Sequence, residues 1–286
     1  MLAELASYEN IDTKAGSPES IKKKHAGERW SQSVTESMRA KARSVKQGSV
    51  QWHEMRRFGG THAQIACGVD YNKTAAIQWR MDTLRMPEPE PSDTQLKARV
   101  IGHESEEWNA RVYSAVMNTK LETVGLLHHD KYEWATVSPD RLPGFEAKAQ
   151  MNGQNMIDKK GVPITSRKNV VQSVFAMEVM GLKHYDVSSC WRSFDTPRPD
   201  YYADVSCVRI FAWAELASEV MTCCKAYAES VVKDFSCPDD SLCPSAPTRF
   251  KSYVKVMPLF RVEFRKDIKV TRFGNDFSVV RFTDLK

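Results

Sequence analysis

The chain has 286 residues, of which 42% are hydrophobic and 27% are charged, and its formal net charge is +5. These proportions are ordinary for a globular protein with a large core. No apolar run approaches the roughly 20 residues that span a bilayer, and the first residues lack the apolar stretch of a signal peptide. Because the chain has seven cysteines and no secretion signal, we expect reduced thiols in an intracellular protein with no membrane partner.

The charge is distributed unevenly along the chain. Residues 244–286 contain ten lysines and arginines against four acids, and such a basic region favours binding to a phosphate backbone. Composition divides the chain into three parts. We predict a polar, partly helical N-terminal extension (1–50), a core (51–235) and a basic, β-rich C-terminal extension (236–286).

The core begins with a short helical pattern that leads into an arginine and a glycine turn. Arg56 is followed by Gly59-Gly60 and Thr61. A glycine pair lets backbone amides approach a ligand closely, and an arginine beside it suits a terminal phosphate. The proline-rich segment 87–92 predicts an extended connection. An amphipathic helix is predicted at 95–118, with an acidic cluster that includes Glu106 and Glu107.

The stretch 136–150, TVSPDRLPGFEAKAQ, carries the clearest chemical signal. Alternating segments at 121–127 and 132–138 predict antiparallel strands that lead into it. Glu146 and Lys148 share one face of a strand, and Asp140 lies at the preceding turn, where it can reach the same point. Two carboxylates and an ammonium group gathered at one place indicate a divalent metal and a phosphate.

The remaining pattern completes an α/β core. A loop at 151–168 precedes an apolar, buried helix at 169–181, in which the polar Gln172 requires a partner. Strands are predicted at 184–191 and 201–209, and a helix at 211–234. Four short β-like runs end the chain, at 252–256, 259–264, 268–273 and 277–283.

Taken in order, these motifs resemble the lambda-type phage exonucleases, or YqaJ-like viral recombinases, of the PD-(D/E)xK nuclease superfamily. Five segments between about 50 and 210 carry the resemblance: Trp52–Arg56 with Gly59-Gly60-Thr61, Gly102–Arg111, Ser138-Pro139-Asp140, Glu146-Ala147-Lys148 and the helix of Gln172. The resemblance implies an α/β core like that of restriction endonucleases, with a mixed central sheet flanked by helices. An N-terminal helical arm and a small C-terminal β appendage would complete the fold.

The resemblance also implies the parts of the site. Asp140, Glu146, the Ala147 carbonyl and a helix glutamate would hold Mg²⁺, for which Mn²⁺ can substitute. Lys148 and Gln172 would act on the attacking water. Arg56, Thr61 and Ser138 would bind DNA and its terminal 5′-phosphate. The expected activity is digestion of duplex DNA ends from 5′ to 3′, which leaves 3′ single-stranded tails for viral or phage-type recombination.

The sequence departs from the family pattern in three places. The acidic helix segment is one residue longer, so that counting from Gly102 gives Glu106 and counting back from Arg111 gives Glu107 as the metal ligand. We prefer Glu107, because Arg111 is on the helix proper. The glycine that usually follows Ser-Pro-Asp is Arg141 here, and Ala149-Gln150 replace the usual Cys-Pro. Neither replacement removes a metal ligand.

Other functions are open on the sequence. An endonuclease or an RNase of the same superfamily, of the alkaline-nuclease kind, would use the same motifs. A non-catalytic DNA-binding module is disfavoured, because carboxylates that face phosphate weaken binding. By resemblance the partners are duplex DNA ends, a single-strand annealing protein and further copies of the chain in a trimer. The location would be the cytoplasm, or the host nucleus for a viral protein.

Overall fold

A computed structural model describes most of the chain between residues 90 and 233 and shorter stretches on either side. The described residues are 36, 42–43, 45, 49–55, 58–69, 90–150, 156–191, 203–211, 214–233, 253–264, 268–273, 278–281 and 285. Arg56 and most of the N-terminal extension lie outside them, so the predictions for those residues stay predictions. The boundaries proposed at residues 51 and 235 likewise stay predictions.

The helices and strands with described bounds alternate along the chain. The helices are α1 (Val50–Met55), α2 (Gly60–Ala66), α3 (Asp93–Met117), α4 (Arg167–Met180) and α5 (Ala214–Lys233). The strands are β1 (Ala42–Arg43), β2 (Leu126–His128), β3 (Thr136–Val137), β4 (Phe145–Gln150), β5 (His184–Trp191), β6 (Val205–Phe211), β7 (Tyr253–Phe264), β8 (Ile268–Arg272) and β9 (Ser278–Arg281). Within these ranges no helix combines the length and the apolar character needed to cross a membrane.

Six of these strands form one mixed sheet, as predicted. Their order is β4-β5-β6-β7-β8, and β9 pairs with the first half of β7. Strands β4 and β5 run parallel, whereas the other pairs are antiparallel. Strand β4 therefore lies at an edge of the sheet. Strands β1, β2 and β3 form a separate antiparallel sheet.

Helices cover both faces of the central sheet. Because side chains alternate between faces along a strand, Val187 and Ile210 pack on one side with residues of α2, α4 and α5. Phe145 and Cys207 pack on the other side with residues of α3. Strands β5 and β6 are consequently buried at nearly every position. The α/β fold with a mixed sheet flanked by helices is confirmed.

Helix α3 begins and ends at capping signals that are visible in the sequence. The Ser92 hydroxyl accepts a hydrogen bond from the Gln95 amide at 3.3 Å, and the Gln95 side chain accepts one from the Ser92 amide at 2.9 Å. This reciprocal arrangement satisfies amides that a helix start leaves unpaired. At the other end Asn118 adopts a left-handed conformation, with φ of 51°, which stops the helix. Helix α3 thus agrees closely with the prediction of 95–118.

The C-terminal strands differ from the prediction in one respect. The runs at 252–256 and 259–264 are a single strand, β7, and not two, because Pro258 is tolerated beside an irregularity in the β6–β7 register at Cys207 and Val208. Strands β7 and β8 form an antiparallel hairpin and β9 pairs with β7, but all three extend the central sheet and do not form a separate appendage. Val254 and Phe260 of β7 are completely buried in the core on its two faces.

Candidate active site

The candidate site lies at strand β4, on its free edge. After Asp140 the chain turns back through residues 141–145, and the Phe145 amide donates to the Arg141 carbonyl at 3.1 Å. Asp140 is fastened to the strand itself, because the Ala147 amide donates to its Oδ2 at 2.7 Å. In a strand the N–H and C=O of one residue point to the same edge, so the Ala147 carbonyl also faces the free edge. The structure therefore brings Asp140 beside the strand that carries Glu146 and Lys148.

Three of the predicted side chains form one hydrogen-bonded network. Lys148 Nζ donates to Glu146 Oε1 at 2.7 Å and to Gln172 Oε1 at 3.1 Å. Gln172 Nε2 donates to the same Glu146 oxygen at 2.6 Å. Gln172 comes from α4, which packs against the face of the sheet to which Glu146 and Lys148 point. The buried helix and the edge strand thus meet at these three groups.

Sequence reasoning missed two residues that complete this network. Gln64 of α2 donates from Nε2 to Gln172 Oε1 at 2.9 Å, so the Gln172 amide is held from both sides. The Tyr185 hydroxyl, on β5, lies 3.3 Å from the Phe145 carbonyl and 3.5 Å from Glu146 Oε2. Neither residue belongs to a recognised motif. The one signal for Gln64 was a polar side chain between the apolar residues Ala63 and Ile65.

The glycine pair has a packing role that the sequence did not predict. A Cβ atom on Gly60 would lie 2.9 Å from Gln172 Cγ, closer than real Cβ contacts allow. Gly60 therefore lets α2 approach α4 closely enough for Gln64 to reach Gln172. We predicted that the pair lets backbone amides approach a ligand, and the structure adds this second reason for a glycine.

The two helix glutamates are both held by Arg141. Its Nη1 donates to Glu106 Oε1 at 2.5 Å and to the Asp140 carbonyl at 2.6 Å, and its Nη2 donates to Glu107 Oε2 at 3.0 Å. The Glu106 side chain is 25% exposed and that of Glu107 is 63% exposed. Glu106 also acts electrostatically on Asp140 and Lys148. Glu106 is thus the less exposed of the two and lies within electrostatic reach of Asp140, and the choice of the helix ligand stays a prediction.

Asn109, one helical turn after Ser105 and Glu106, anchors α3 to the sheet. Its Nδ2 donates to the Ser105 carbonyl at 2.9 Å and to the Lys148 carbonyl at 3.4 Å. The Ser188 hydroxyl donates to its Oδ1 at 2.8 Å. Asn109 is completely buried, so these bonds satisfy its amide and fix the helix turn that carries Glu106. Sequence reasoning missed this residue as well.

The pKa values of the site reflect crowded charges. Burial raises the pKa of Asp140 well above its ordinary value, and the neighbouring charge of Glu146 raises it further, whereas Lys148 lowers it. Desolvation alone would lower the pKa of Lys148, but the charges of Glu146 and Asp140 outweigh it, so its pKa is raised. The carboxylates therefore repel each other, and Lys148 compensates only part of that repulsion.

The oxygen donors fit a hard divalent cation, although the described residues contain no preformed cluster of three His, Cys, Asp or Glu side chains that could hold a metal. Glu106 is turned to Arg141, and Glu146 Oε1 is occupied by Lys148 and Gln172. Burial and the charge of Glu146 nevertheless raise the pKa of Asp140, so a cation bound near these two carboxylates would stabilise both of them. Carboxylate and carbonyl oxygens are the ligands that Mg²⁺ prefers.

The structure describes two of the three predicted phosphate-binding residues. Arg56 lies outside the described residues. Thr61 is an exposed residue in the first turn of α2. The Ser138 hydroxyl oxygen is buried and has no hydrogen-bond partner among the described residues. A buried hydroxyl without a partner is costly, and a bound group could satisfy it.

Comparison with known proteins identifies the family of this domain. The model of the YqaJ-like viral recombinase domain matches residues 51–177, a range that holds every predicted site residue. The recognition made from the sequence motifs is confirmed, because this part of the chain matches the YqaJ-like viral recombinase domain. No curated protein matches the sequence significantly.

Three solved structures to which this chain is similar are exonucleases by name. An alkaline exonuclease (LHK-Exo) from Laribacter hongkongensis is 19% identical, with a TM-score of 0.48 over 64% of this chain and 93% of that chain. Its complex with dAMP is 17% identical, with the same TM-score and coverage. A phage related exonuclease from Haemophilus somnus 129PT is 13% identical, with a TM-score of 0.43 over 63% of this chain and 96% of that chain.

Proposed function

We propose that the protein is a metal-dependent deoxyribonuclease that digests duplex DNA from its ends. The observation that carries the proposal is the cluster of Asp140, Glu146, Lys148 and Gln172 at an edge strand, within a YqaJ-like viral recombinase domain. The reaction is hydrolysis of phosphodiester bonds in the 5′ to 3′ direction. Its product is a 3′ single-stranded tail suited to recombination.

A divalent metal is part of the proposed site. Asp140, Glu146, the Ala147 carbonyl and Glu106 would hold Mg²⁺, with Mn²⁺ as a substitute, and Glu107 is the second choice for the helix ligand. The bound metal supplies a Lewis acid that polarises the phosphate and a water of lowered pKa. The Arg141 guanidinium competes for Glu106, so that ligand is available only when the ion pair opens.

We assign to Lys148 the role of orienting the attacking water. Because Glu146 and Asp140 raise its pKa, the ammonium form predominates near neutral pH. We therefore assign it the part of a hydrogen-bond donor that orients the water and stabilises negative charge as it develops on the phosphate. Gln172 positions Lys148 through its Oε1 and Glu146 through its Nε2. Gln64 supports Gln172 from behind.

Recognition of the DNA end belongs to a separate group of residues. Arg56, Thr61 and Ser138 would anchor the terminal 5′-phosphate and so set the direction of digestion. Support for Ser138 is its buried hydroxyl without a partner in the described part of the chain. A single-strand annealing protein and a homotrimeric assembly follow from the family resemblance.

Digestion of linear duplexes in Mg²⁺, with and without a 5′-phosphate, tests this function. We expect the phosphorylated ends to be digested faster, and Lys148→Ala to lower the rate by roughly 10²- to 10³-fold, the range for loss of one donor that stabilises developing negative charge. Lys225→Ala, which removes an exposed lysine on α5, is the matched control. Equal cutting of closed circular DNA would identify an endonuclease, and preferential cutting of RNA would identify an RNase. Binding without any cutting would leave only a DNA-binding module.

A further inference from the structure

A cleft of about 580 Å³ lies beside the candidate active site. Its wall is the second half of α3, the turn that follows this helix, and the side chain of Arg141. The cationic groups Arg111, Lys120 and Arg141 line it, together with small polar side chains such as Ser114 and Asn118. We call this feature the α3 cleft.

The lining of the α3 cleft carries a net positive charge. Among its described lining residues there are three cations and one acid, Glu107, which leaves a formal charge of +2. Glu107 is already bound, because Arg141 Nη2 donates to it at 3.0 Å. Lys120 is exposed and makes no ion pair with the described part of the chain. A concave surface of one sign concentrates ligands of the opposite sign.

The described end of α3 is stabilised by groups other than Lys120. Lysines and arginines often offset the negative dipole at the C-terminus of a helix. Here Arg272 of β8 takes that place, because its Nη2 donates to the Val116 carbonyl at 2.6 Å. The Asn118 and Thr119 amides donate to the Ser114 carbonyl. The last turn therefore has partners other than Lys120.

Arg141 connects the α3 cleft to the candidate active site. One side of its guanidinium bonds to Glu106 and to the Asp140 carbonyl, and the same residue lines the cleft. Arg111 lies one helical turn beyond Glu107, and such a turn separates side chains by about 5–6 Å. A DNA strand that passes from the candidate active site along α3 would thus meet Arg141 and then Arg111.

We propose that the α3 cleft binds backbone phosphates of the DNA strand next to the phosphate that is cleaved. The proposal rests on the nuclease function and adds a substrate-binding surface distinct from the predicted end-binding residues Arg56, Thr61 and Ser138. Cations and small polar groups that contact only phosphates hold DNA of any sequence. The cleft accordingly adds affinity without sequence preference.

Salt-dependent DNA binding tests the α3 cleft. Binding of a short fluorescent duplex is measured by anisotropy at several salt concentrations, in excess chelator, for Lys120→Ala, Arg111→Gln and both together. Each lost phosphate contact should lower the slope of log K against log salt by about 0.9, and the affinity by roughly tenfold at 0.1 M salt. Lys120→Arg should restore binding. Lys225→Ala, on the opposite face of the sheet, should not change the slope.

The result that overturns the proposal is an unchanged slope and affinity for Lys120→Ala, a variant that removes an exposed side chain and so leaves folding intact. The same proteins are assayed for digestion of linear duplex in Mg²⁺. If the unaltered protein digests DNA and the Lys120 and Arg111 variants bind DNA as tightly as it does, the α3 cleft does not bind DNA. The proposed nuclease function is then unaffected. If the unaltered protein neither binds nor digests DNA, the proposed function itself fails.

Discussion

At the scale of single residues, Gln172 joins the parts of the candidate active site. Its carbonyl oxygen accepts hydrogen bonds from Lys148 and Gln64, and its amide nitrogen donates to Glu146. These three partners fix which end of the amide is oxygen, because two donors face one atom and a carboxylate faces the other. The side chain therefore holds the lysine and the carboxylate in one fixed relation.

Replacement of Gln172 should reduce the rate of DNA digestion, because its hydrogen bonds position Lys148 and Glu146. A hydrogen bond to a charged group contributes about 1.5–3 kcal/mol, so Gln172→Leu should lower the rate of duplex digestion by roughly 10- to 100-fold. Gln64→Leu removes only the neutral bond to Gln172 and should cost less than about tenfold. Initial rates of both variants, with thermal unfolding as a check on folding, measure this order. A larger loss for Gln64→Leu would contradict the arrangement.

Asp140 gives the protein a pH dependence of stability that can be measured without metal. Burial and the charge of Glu146 raise its pKa in the folded state above the ordinary value of 3.8. Between these two values the folded state binds more protons than the unfolded state, so this group's contribution to stability falls as the pH rises. The contribution is complete below the unfolded pKa and is lost as the pH passes the folded one.

The variant Asp140→Asn removes this titration and keeps an oxygen that can accept the Ala147 amide. In chelator, we expect its free energy of unfolding to increase relative to the unaltered protein as the pH rises from about 4, the unfolded pKa of an aspartate. Urea unfolding at a series of pH values provides the comparison. A constant difference between the two proteins across the series would show that Asp140 titrates normally.

At the scale of elements, the contact between α2 and α4 decides whether the network can form. Gly60→Ala places a Cβ atom 2.9 Å from Gln172 Cγ, so we expect a destabilisation of about 1–3 kcal/mol and a loss of activity through displacement of Gln172. Gly102→Ala is the matched control, because a Cβ there meets nothing within 4 Å. In the middle of α3 it should stabilise the protein by about 1 kcal/mol. Urea unfolding and digestion rates are measured for both variants. Equal effects of Gly60→Ala and Gly102→Ala would show that the close contact between Gly60 and Gln172 is not what limits the substitution.

At the scale of the whole molecule, the core depends on the last strands of the chain. Strand β7 pairs with β6 over seven positions and contributes buried side chains to both faces of the sheet, including Val254 and Phe260. A chain that ends at residue 235 loses this strand, leaves β6 at an open edge and exposes both hydrophobic clusters. We therefore expect it to lose cooperative unfolding, as measured by calorimetry.

A chain that ends at residue 273 retains β7 and β8 and is the control for this truncation. It loses β9, which pairs with only four residues of β7, so it should unfold cooperatively at a somewhat lower temperature. Cooperative unfolding of the shorter chain would show that residues 51–235 form a core of their own, as the composition suggested.

Local sequence patterns were sufficient to predict several helices and strands of this protein and its family. The capping residues Ser92 and Asn118 define α3, the alternation of Glu146 and Lys148 defines β4, and the order of the motifs identifies the family. Each of these signals is contained within a few neighbouring residues. The hydrophobic period and the turn chemistry therefore determine them before any tertiary contact forms.

The tertiary structure alone decided which groups surround those motifs. Gln64 meets Gln172 across 108 residues of sequence, and Asn109 reaches Lys148 across 39. Arg141, which stands in place of the usual glycine, binds both Glu106 and Glu107 only because the Asp140 turn packs against α3. Pairings of this kind follow from how helices dock on an edge strand, and no local pattern encodes that docking. The sequence by itself thus determined the candidate motif and its family resemblance, and the packing of the sheet determined its supporting residues and the cleft beside it.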